Sequence, residues 1–220
     1  MPAAAIRAMP SSARPSGGRW NQKLLISTAS STHCASDARS IGRHGQAGGP
    51  AGASVRSGAS VDMGAPRFEW DAIPLAYAMD TLHMGASWDD LPAPAAVNVG
   101  NPHVIFFVDD LDAVEVERLG PLIEHDPLFP ARVNVNFAQV VGDNHIRLIV
   151  WERGAGLTRA CGTGACATAV AAIRRKPMTG PVTVSLPGGD LVIAWAPGGT
   201  IQMTGPATHV FDGEADWSRF

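Results

Sequence analysis

The sequence predicts an α+β protein in which short strands form a barrel-like roll around one central helix. Residues 164–173 are almost all small, with Val170 and Ile173 the largest, and a helix without a polar face must be buried all round. Short apolar runs separated by Gly, Pro, Asn and Asp occur on both sides of this helix and are typical of hairpins and meanders. Many short strands around one apolar helix indicate a roll that encloses the helix.

Composition limits the possible functions. The chain has 220 residues, of which 45% are hydrophobic and 17% charged, enough for one or two small domains. A net charge of -3 offers no basic field for nucleic acid, and no apolar run is long enough to span a membrane. The three cysteines lack the spacing of zinc ligands or of a secreted disulfide framework. We therefore expect a cytoplasmic protein whose partner is a small molecule.

Residues 1–57 differ from the rest of the chain. They are rich in Ala, Ser, Gly, Pro and Arg, and contain no acidic residue before Asp37. Such a start could be a transit peptide, but its prolines would break the required amphipathic helix, so we favour a disordered or non-native leader. Only Lys23–Thr28 in this region is typical of a strand.

The next segments predict a strand followed by a peripheral helix. Residues 91–96 contain two prolines and indicate a linker, and the apolar run His103–Val108 has the length of a buried strand. Asp112 precedes Glu115 by three residues, a spacing that resembles a capping box at the start of a helix. The apolar face of this helix is predicted to be Val116, Leu119, Leu122 and Ile123.

Later strands are predicted from turn signals. Val133–Val141 and His145–Trp151 flank a Gly-Asp-Asn turn and form a hairpin. After the central helix, residues 181–186, 191–195 and 200–204 are separated by Gly-Gly turns and predict a meander.

Cys161 is predicted to lie at the N-terminus of the central helix. Free amide groups and the helix dipole favour an anion there, which would lower the pKa of the thiol and hold a substrate carboxylate. Gly162 and Gly164 would let a ligand approach the backbone. Two alternatives remain, an inert buried cysteine and a phosphate site. Cys166 lies about 140° around the helix from Cys161, so we expect it to be packed in the core.

Several segments together resemble the diaminopimelate epimerase family, in the order of that family and over about residues 58–214. The resemblance implies two pseudo-symmetric domains, each a β-roll around a central helix, with the active site in the cleft between them. It divides this chain into a leader at 1–57, a remnant of the N-terminal domain with a linker at 58–95, and the C-terminal epimerase domain at 96–216. The matching segments are Val61–Phe68, Asn98–His103, Arg132–Phe137, Trp151–Gly156, Thr158–Ile173 and Met203–Ala207.

The resemblance also implies a reaction. Enzymes of this family interconvert LL- and meso-2,6-diaminopimelate for lysine and peptidoglycan biosynthesis, without pyridoxal phosphate, metal or other cofactor. One cysteine removes the α-proton and a second returns a proton to the opposite face. Cys161 matches the second cysteine, and a homodimer is a possible assembly.

Other site residues are carried over from the same resemblance. Glu152 and His103 match groups that modulate the pKa of the catalytic thiols. On the residues alone, Glu152 and Arg153 could instead form an exposed ion pair, Asn101 a turn, and His103 a structural contact. The predicted substrate-binding residues are Asn101, Asn134, Glu152, Arg153, Gly162 and Thr163.

One motif of the family has no match. Its first catalytic cysteine lies in a Gly-Asn-Gly-x-Arg-Cys type motif, and Cys34 in residues 1–60 lacks those neighbours. We therefore expect a truncated or disrupted chain that is weakly active or inactive as an epimerase. The alternatives are a proline-racemase-like or phenazine-biosynthesis-like isomerase, a non-catalytic remnant that binds an amino acid, and a hydrolase that uses Cys161 and His103.

Overall fold

Ten strands and two helices make up the part of the chain that the computed structural model describes, residues 41–44, 57–175 and 178–207. The helices are α1, Val116–Glu124, and α2, Gly162–Arg174. The strands are β1 Ile41–His44, β2 Ser57–Asp62, β3 Ala95–Asn98, β4 Pro102–Phe107, β5 Asn134–Gly142, β6 His145–Glu152, β7 Gly156–Thr158, β8 Val182–Leu186, β9 Gly189–Ala194 and β10 Gln202–Ala207.

The strands form one mixed sheet in the order β1-β2-β10-β9-β8-β6-β5-β4-β3, with β7 paired to β6 beside this path. Two pairs, β4 with β5 and β6 with β8, are parallel, and the others are antiparallel. A parallel pair needs a crossover connection. Helix α1 lies in the first crossover and α2 in the second, so the two helices follow from the two parallel pairs.

Helix α2 is the centre of the roll. Every residue from Thr163 to Ala172 is buried, and the helix contacts β3, β4, β5, β6, β8 and β9. Small side chains allow this helix to lie close to strands on several sides, which larger residues would prevent. The predicted α+β roll around a central small-residue helix is confirmed.

Helix α1 packs against β5, β6 and β7 and begins differently from the prediction. Its first residue is Val116, and Glu115 precedes it without a capping side chain. The capping-box prediction is wrong because the Asp112 carboxylate is held instead by Arg147, at 2.8 and 3.1 Å. Leu122 is 50% exposed, whereas the other three predicted apolar positions are buried.

The hairpin and the meander are confirmed. Strands β5 and β6 pair antiparallel with a register shift near Val140, and β8, β9 and β10 follow one another as antiparallel neighbours. Strand β6 alternates buried and half-buried side chains, so both of its faces are covered. The end of the predicted linker, Ala95 and Ala96, already belongs to β3.

The two faces of the sheet carry separate apolar clusters. The cluster around α2 includes Ile105, Leu148 and Val150. The cluster on the α1 side contains Phe106 and Phe137, whose rings stack with centroids 5.6 Å apart. Successive residues of β4 point into opposite clusters, so the strands that carry the site are fixed from both sides.

Several predictions concern residues outside the described ranges. These include the strand at Lys23–Thr28, Cys34, and most of the leader at 1–57. Strand β1 falls within the predicted leader and pairs with β2, which in turn pairs with β10. The division of the chain at residues 57 and 95 stays a prediction. Neither of the two helices in the described ranges has the length and hydrophobicity required to cross a membrane.

Candidate active site

Cys161 follows β7 in the chain and immediately precedes the first turn of α2. It is the N-cap residue, with an extended backbone at φ -143° and ψ 102°. Its Sγ accepts a hydrogen bond of 3.3 Å from the Gly164 amide, one of the amides that have no acceptor within the helix. The residue is only 1% exposed. The thiol is therefore held against the helix N-terminus.

Glycine at two positions makes this close approach possible. A Cβ on Gly164 would lie 3.1 Å from Val150 Cγ2 and 3.2 Å from Cys161 Sγ. A Cβ on Gly162 would lie 3.1 Å from Met203 Sδ. All three distances are shorter than ordinary van der Waals contact, so a side chain at Gly164 would push against the thiol itself.

Thr163 connects the cysteine to the neighbouring loop. Its Oγ1 lies 3.5 Å from Cys161 Sγ and accepts a 3.3 Å hydrogen bond from Asn101 Nδ2. The amides of Gly162 and Thr163 belong to the first helical turn, where a carboxylate can bind. Three predicted site residues, Asn101, Thr163 and Cys161, are thus brought together.

The thiol of Cys161 has a raised pKa, contrary to the lowered one expected from its position. Burial first, and then the carboxylate of Glu152, which repels a thiolate, raise the pKa to about 11. Hydrogen bonds from Thr163 and Gly164 act in the opposite direction but are weaker. The helix N-terminus alone does not overcome desolvation. Cys161 is therefore a protonated thiol at neutral pH, able to give a proton.

Glu152 ends β6 and is 4% exposed. Burial raises its pKa, partly offset by hydrogen bonds with Thr158 and Cys161. Thr158 in β7 donates to Glu152 Oε1 at 2.6 Å, which fixes the carboxylate beside the cysteine.

Arg153 does not pair with Glu152. It is exposed, and its Nη1 donates to the Ala131 carbonyl at 2.9 Å. Among the ion pairs of the described ranges, none joins these two neighbours, so the alternative of an exposed Glu152–Arg153 pair is wrong.

Asn134 holds two backbone segments together. Its Nδ2 donates to the Pro102 carbonyl at 2.8 Å, and its Oδ1 accepts from the Arg153 amide at 2.9 Å. The side chain is 3% exposed. Asn134 thus joins the start of β4 to the end of β6, and its role in substrate binding stays a prediction.

His103 lies between two asparagine side chains on the face of β4 towards α2. Its Nε2 is 3.1 Å from Asn101 Oδ1, and its Nδ1 is 3.2 Å from Asn136 Oδ1. The ring is completely buried, and this burial lowers its pKa to about 4, with the charge of Arg153 acting in the same direction. His103 is therefore neutral at physiological pH.

Sequence reasoning missed two further polar residues. Asn136 reaches α2, where its Nδ2 donates to the Gly164 carbonyl at 3.0 Å and to Thr168 Oγ1 at 2.9 Å. Glu124 of α1 accepts from Trp151 Nε1 at 2.8 Å and from the Gly154 amide at 2.9 Å, and so supports the turn after Glu152. The feature of the sequence that could have identified Asn136 is its polar side chain between the apolar residues Val135 and Phe137.

A metal centre has no obvious location here. Within residues 41–44, 57–175 and 178–207, no cluster of three or more His, Cys, Asp or Glu side chains could hold a metal ion.

Comparison with known proteins identifies the family. The family model for diaminopimelate epimerase matches residues 95–210. Diaminopimelate epimerase of Sphingopyxis alaskensis is 64% identical over 163 residues, which cover 74% of this chain and 61% of that protein. The enzyme of Rhizorhabdus wittichii is 64% identical over 169 residues, covering 77% and 62%. The chain thus spans about three-fifths of the length of these relatives.

A solved structure shares the fold at lower sequence identity. The probable proline racemase of Agrobacterium radiobacter K84 superposes with a TM-score of 0.50 at 15% identity, over 74% of this chain and 54% of that one. The roll around α2, the match to the family model over more than half of the chain and the two bacterial relatives agree: the chain belongs to the diaminopimelate epimerase family.

Proposed function

We propose that this chain provides the Cys161 face of a diaminopimelate epimerase active site, interconverting LL- and meso-2,6-diaminopimelate by cysteine acid–base chemistry. The observation that carries the proposal is the thiol at the N-terminus of α2, bonded to the Gly164 amide and adjacent to Glu152. A group that gives a proton to carbon must be protonated when it does so, and the raised pKa of Cys161 meets this condition.

The proposed step is a proton transfer at the α-carbon. A base on the opposite face removes the α-proton, and the electron pair of the broken C–H bond stays on carbon. Cys161 then forms the new C–H bond with its S–H proton and becomes a thiolate. The amides of Gly162 and Thr163 would bind the α-carboxylate and stabilise the carbanion, since fixed dipoles act strongly in a dry site. In the reverse direction, the thiolate is the base.

The remaining site residues have roles in the same proposal. Asn101, Asn134 and Arg153 would bind the polar groups of the substrate, and amides suit a zwitterion because they both donate and accept. Glu152 and His103 would set the protonation of Cys161. The reaction uses no cofactor. We place the protein in the cytoplasm, in lysine and peptidoglycan biosynthesis, and its assembly as a homodimer stays a prediction.

Deuterium exchange tests the proposal. The purified chain is incubated separately with the LL and the meso isomer in D₂O, because Cys161 can take a proton only from the isomer whose α-hydrogen faces it, and α-deuteration and inversion are followed separately. We expect slow α-deuteration that depends on Cys161, with little inversion, because inversion also needs an acid–base group on the opposite face. Cys166→Ala is the matched control, since it removes a thiol from the same helix.

The possible outcomes are distinct. Absence of exchange in the folded protein, or equal exchange in Cys161→Ala, would contradict the proposal. Substantial meso product would require a second acid–base group in this chain, and Cys34 would be the first residue to mutate. Proline in place of diaminopimelate tests the proline-racemase-like alternative.

A further inference from the structure

The ring of His103 faces an amide oxygen on each side, and this cannot hold for a neutral histidine. Nε2 lies 3.1 Å from Asn101 Oδ1, and Nδ1 lies 3.2 Å from Asn136 Oδ1. A neutral imidazole carries one N–H and has one acceptor nitrogen, so it can donate to only one of these oxygens. One of the two asparagines must therefore present its NH₂ group to the ring. The oxygen and nitrogen of such an amide are distinguished by their hydrogen-bond partners.

Asn136 cannot turn its amide around. Its Nδ2 donates to the Gly164 carbonyl at 3.0 Å, and a carbonyl can only accept. The same nitrogen donates to Thr168 Oγ1 at 2.9 Å. Turning the amide would place two oxygens against each other in a site where Asn136 and Thr168 are completely buried. Asn136 Oδ1 therefore faces His103, and the ring proton is on Nδ1.

Asn101 can turn its amide around. Within the described part of the chain, the other hydrogen-bond partner of its side chain is Thr163 Oγ1, and a hydroxyl both donates and accepts. With the NH₂ group towards Nε2 of His103, Asn101 Oδ1 accepts from the Thr163 hydroxyl. The proton of that hydroxyl is then taken up by Asn101, so Thr163 cannot donate it to a thiolate on Cys161, whose Sγ is 3.5 Å away.

We propose that Asn136 is a positioning residue that fixes the ring proton of His103 on Nδ1 and, through Asn101 and Thr163, holds Cys161 in its protonated form. The donors then run in one direction from Thr163 to Asn101, and from Asn101 through His103 and Asn136 back to α2, while no hydroxyl proton is left to stabilise a thiolate on Cys161. The consequence of this proton arrangement for catalysis rests on the proposed function, whereas the arrangement itself does not.

The proposed proton arrangement also explains why these hydrogen-bonded polar side chains can be buried without a large loss of stability. Every buried donor in it meets an acceptor, which a buried polar group requires. The low pKa of His103 agrees with a neutral ring, since burial and the Arg153 charge both oppose protonation.

Nitrogen-15 NMR of the full chain, labelled at its seven histidines, tests the proposal. His103→Gln assigns the signal by removing it. We expect the Nδ1-protonated tautomer at neutral pH. A ring protonated on Nε2 alone, or on both nitrogens, would overturn the proposal.

Two variants test the role of Asn136. Asn136→Leu removes the fixed acceptor, so the proton should move to Nε2, where Asn101 Oδ1 can accept it. Thr163 would then be released to donate to a thiolate, and alkylation of Cys161 should begin at lower pH than in the wild type. Retention of the Nδ1 proton, or an unchanged alkylation profile, would refute the coupling.

Thr168→Val is the matched control. It removes a hydrogen bond from the same Asn136 amide but leaves the acceptor towards His103, so it should lower stability without changing the tautomer. If Asn136→Leu does not fold, the tautomer in the wild type and in Thr168→Val still decides the proposal, because a proton on Nε2 alone in either folded protein would count against it. None of these readouts needs catalytic activity, so failure of the proposed function would be recognised separately.

Discussion

Cys161 and Cys166 lie five residues apart at the start of α2, and both are almost fully shielded from solvent. Cys166 belongs to the apolar cluster around the helix. Cys161 touches the same cluster but also meets the Gly164 amide, the Thr163 hydroxyl and the Glu152 carboxylate. Equal burial therefore does not make the two thiols equivalent, because only Cys161 lies at the helix N-terminus beside the Gly164 amide.

The largest expected effect separates the two cysteines directly. Cys161→Ala should lower α-deuteration of diaminopimelate by about 10²–10⁴-fold, the usual loss when an acid–base group is removed. Cys166→Ala should leave exchange little changed and lower only stability. Exchange is measured by mass spectrometry and stability by urea unfolding. A similar loss of exchange in both variants would show that Cys161 has no greater role in proton exchange than Cys166.

A second effect concerns the polar surroundings of Cys161 under acid conditions. His103 has a pKa of about 4 when folded and an ordinary value of 6.5, so the unfolded chain binds its proton more readily. Stability from this group is complete above pH 6.5 and falls as the pH decreases towards 4, by about 3 kcal/mol in total. Urea unfolding across this range should show the loss in the wild type.

His103→Gln provides the control for the acid effect. This variant should lose stability at neutral pH, but its further decrease between pH 6.5 and 4 should be smaller than that of the wild type. An identical pH dependence in the two proteins would show that His103 is not buried in its neutral form.

The apolar part of α2 should respond in stability alone. Val170→Ala removes two buried methyl groups, which should lower the free energy of unfolding by about 2 kcal/mol. The initial rate of α-deuteration, measured well below the unfolding transition, should stay near that of the wild type. A large loss of exchange would mean that packing in the middle of the helix also positions Cys161.

The smallest effect tests the electrostatic influence of Glu152. Glu152→Gln removes a negative charge that opposes the thiolate, so the pKa of Cys161 should fall, by roughly one unit. The pH profile of iodoacetamide alkylation, read by peptide mapping, would show this shift. Placed in an intact homologous enzyme, the same change should lower turnover far more than it lowers the melting temperature, whereas equal losses of both would support a purely structural role.

The extent to which the sequence predicted the fold depends on how local each signal is. The hairpin β5–β6 and the meander β8–β10 are defined by turn residues next to alternating or apolar runs, and both were predicted. The start of α1 was predicted wrongly, because Asp112 has a partner 35 residues away in Arg147. Local spacing cannot reveal that a distant guanidinium competes for a capping side chain.

In the candidate site, too, some residues were identified from the sequence and others were not. Resemblance at the sequence level gave Cys161, His103 and Glu152 as candidates, and the structure places them around the N-terminus of α2. It did not single out Asn136, whose partners lie 28 and 32 residues away, at Gly164 and Thr168. A polar residue within an apolar strand is informative only when its acceptors are known.

The sequence by itself determined that α2 would be a buried central helix with Cys161 at its N-terminus, since small residues without a polar face leave no other place for it. Only the tertiary structure decided the protonation of the site. The pKa of Cys161 is about 11 and not lowered, because desolvation and the charge of Glu152 outweigh the amides at the helix N-terminus. Those two influences depend on which strands surround the helix end, and no local stretch of the sequence specifies how distant strands pair.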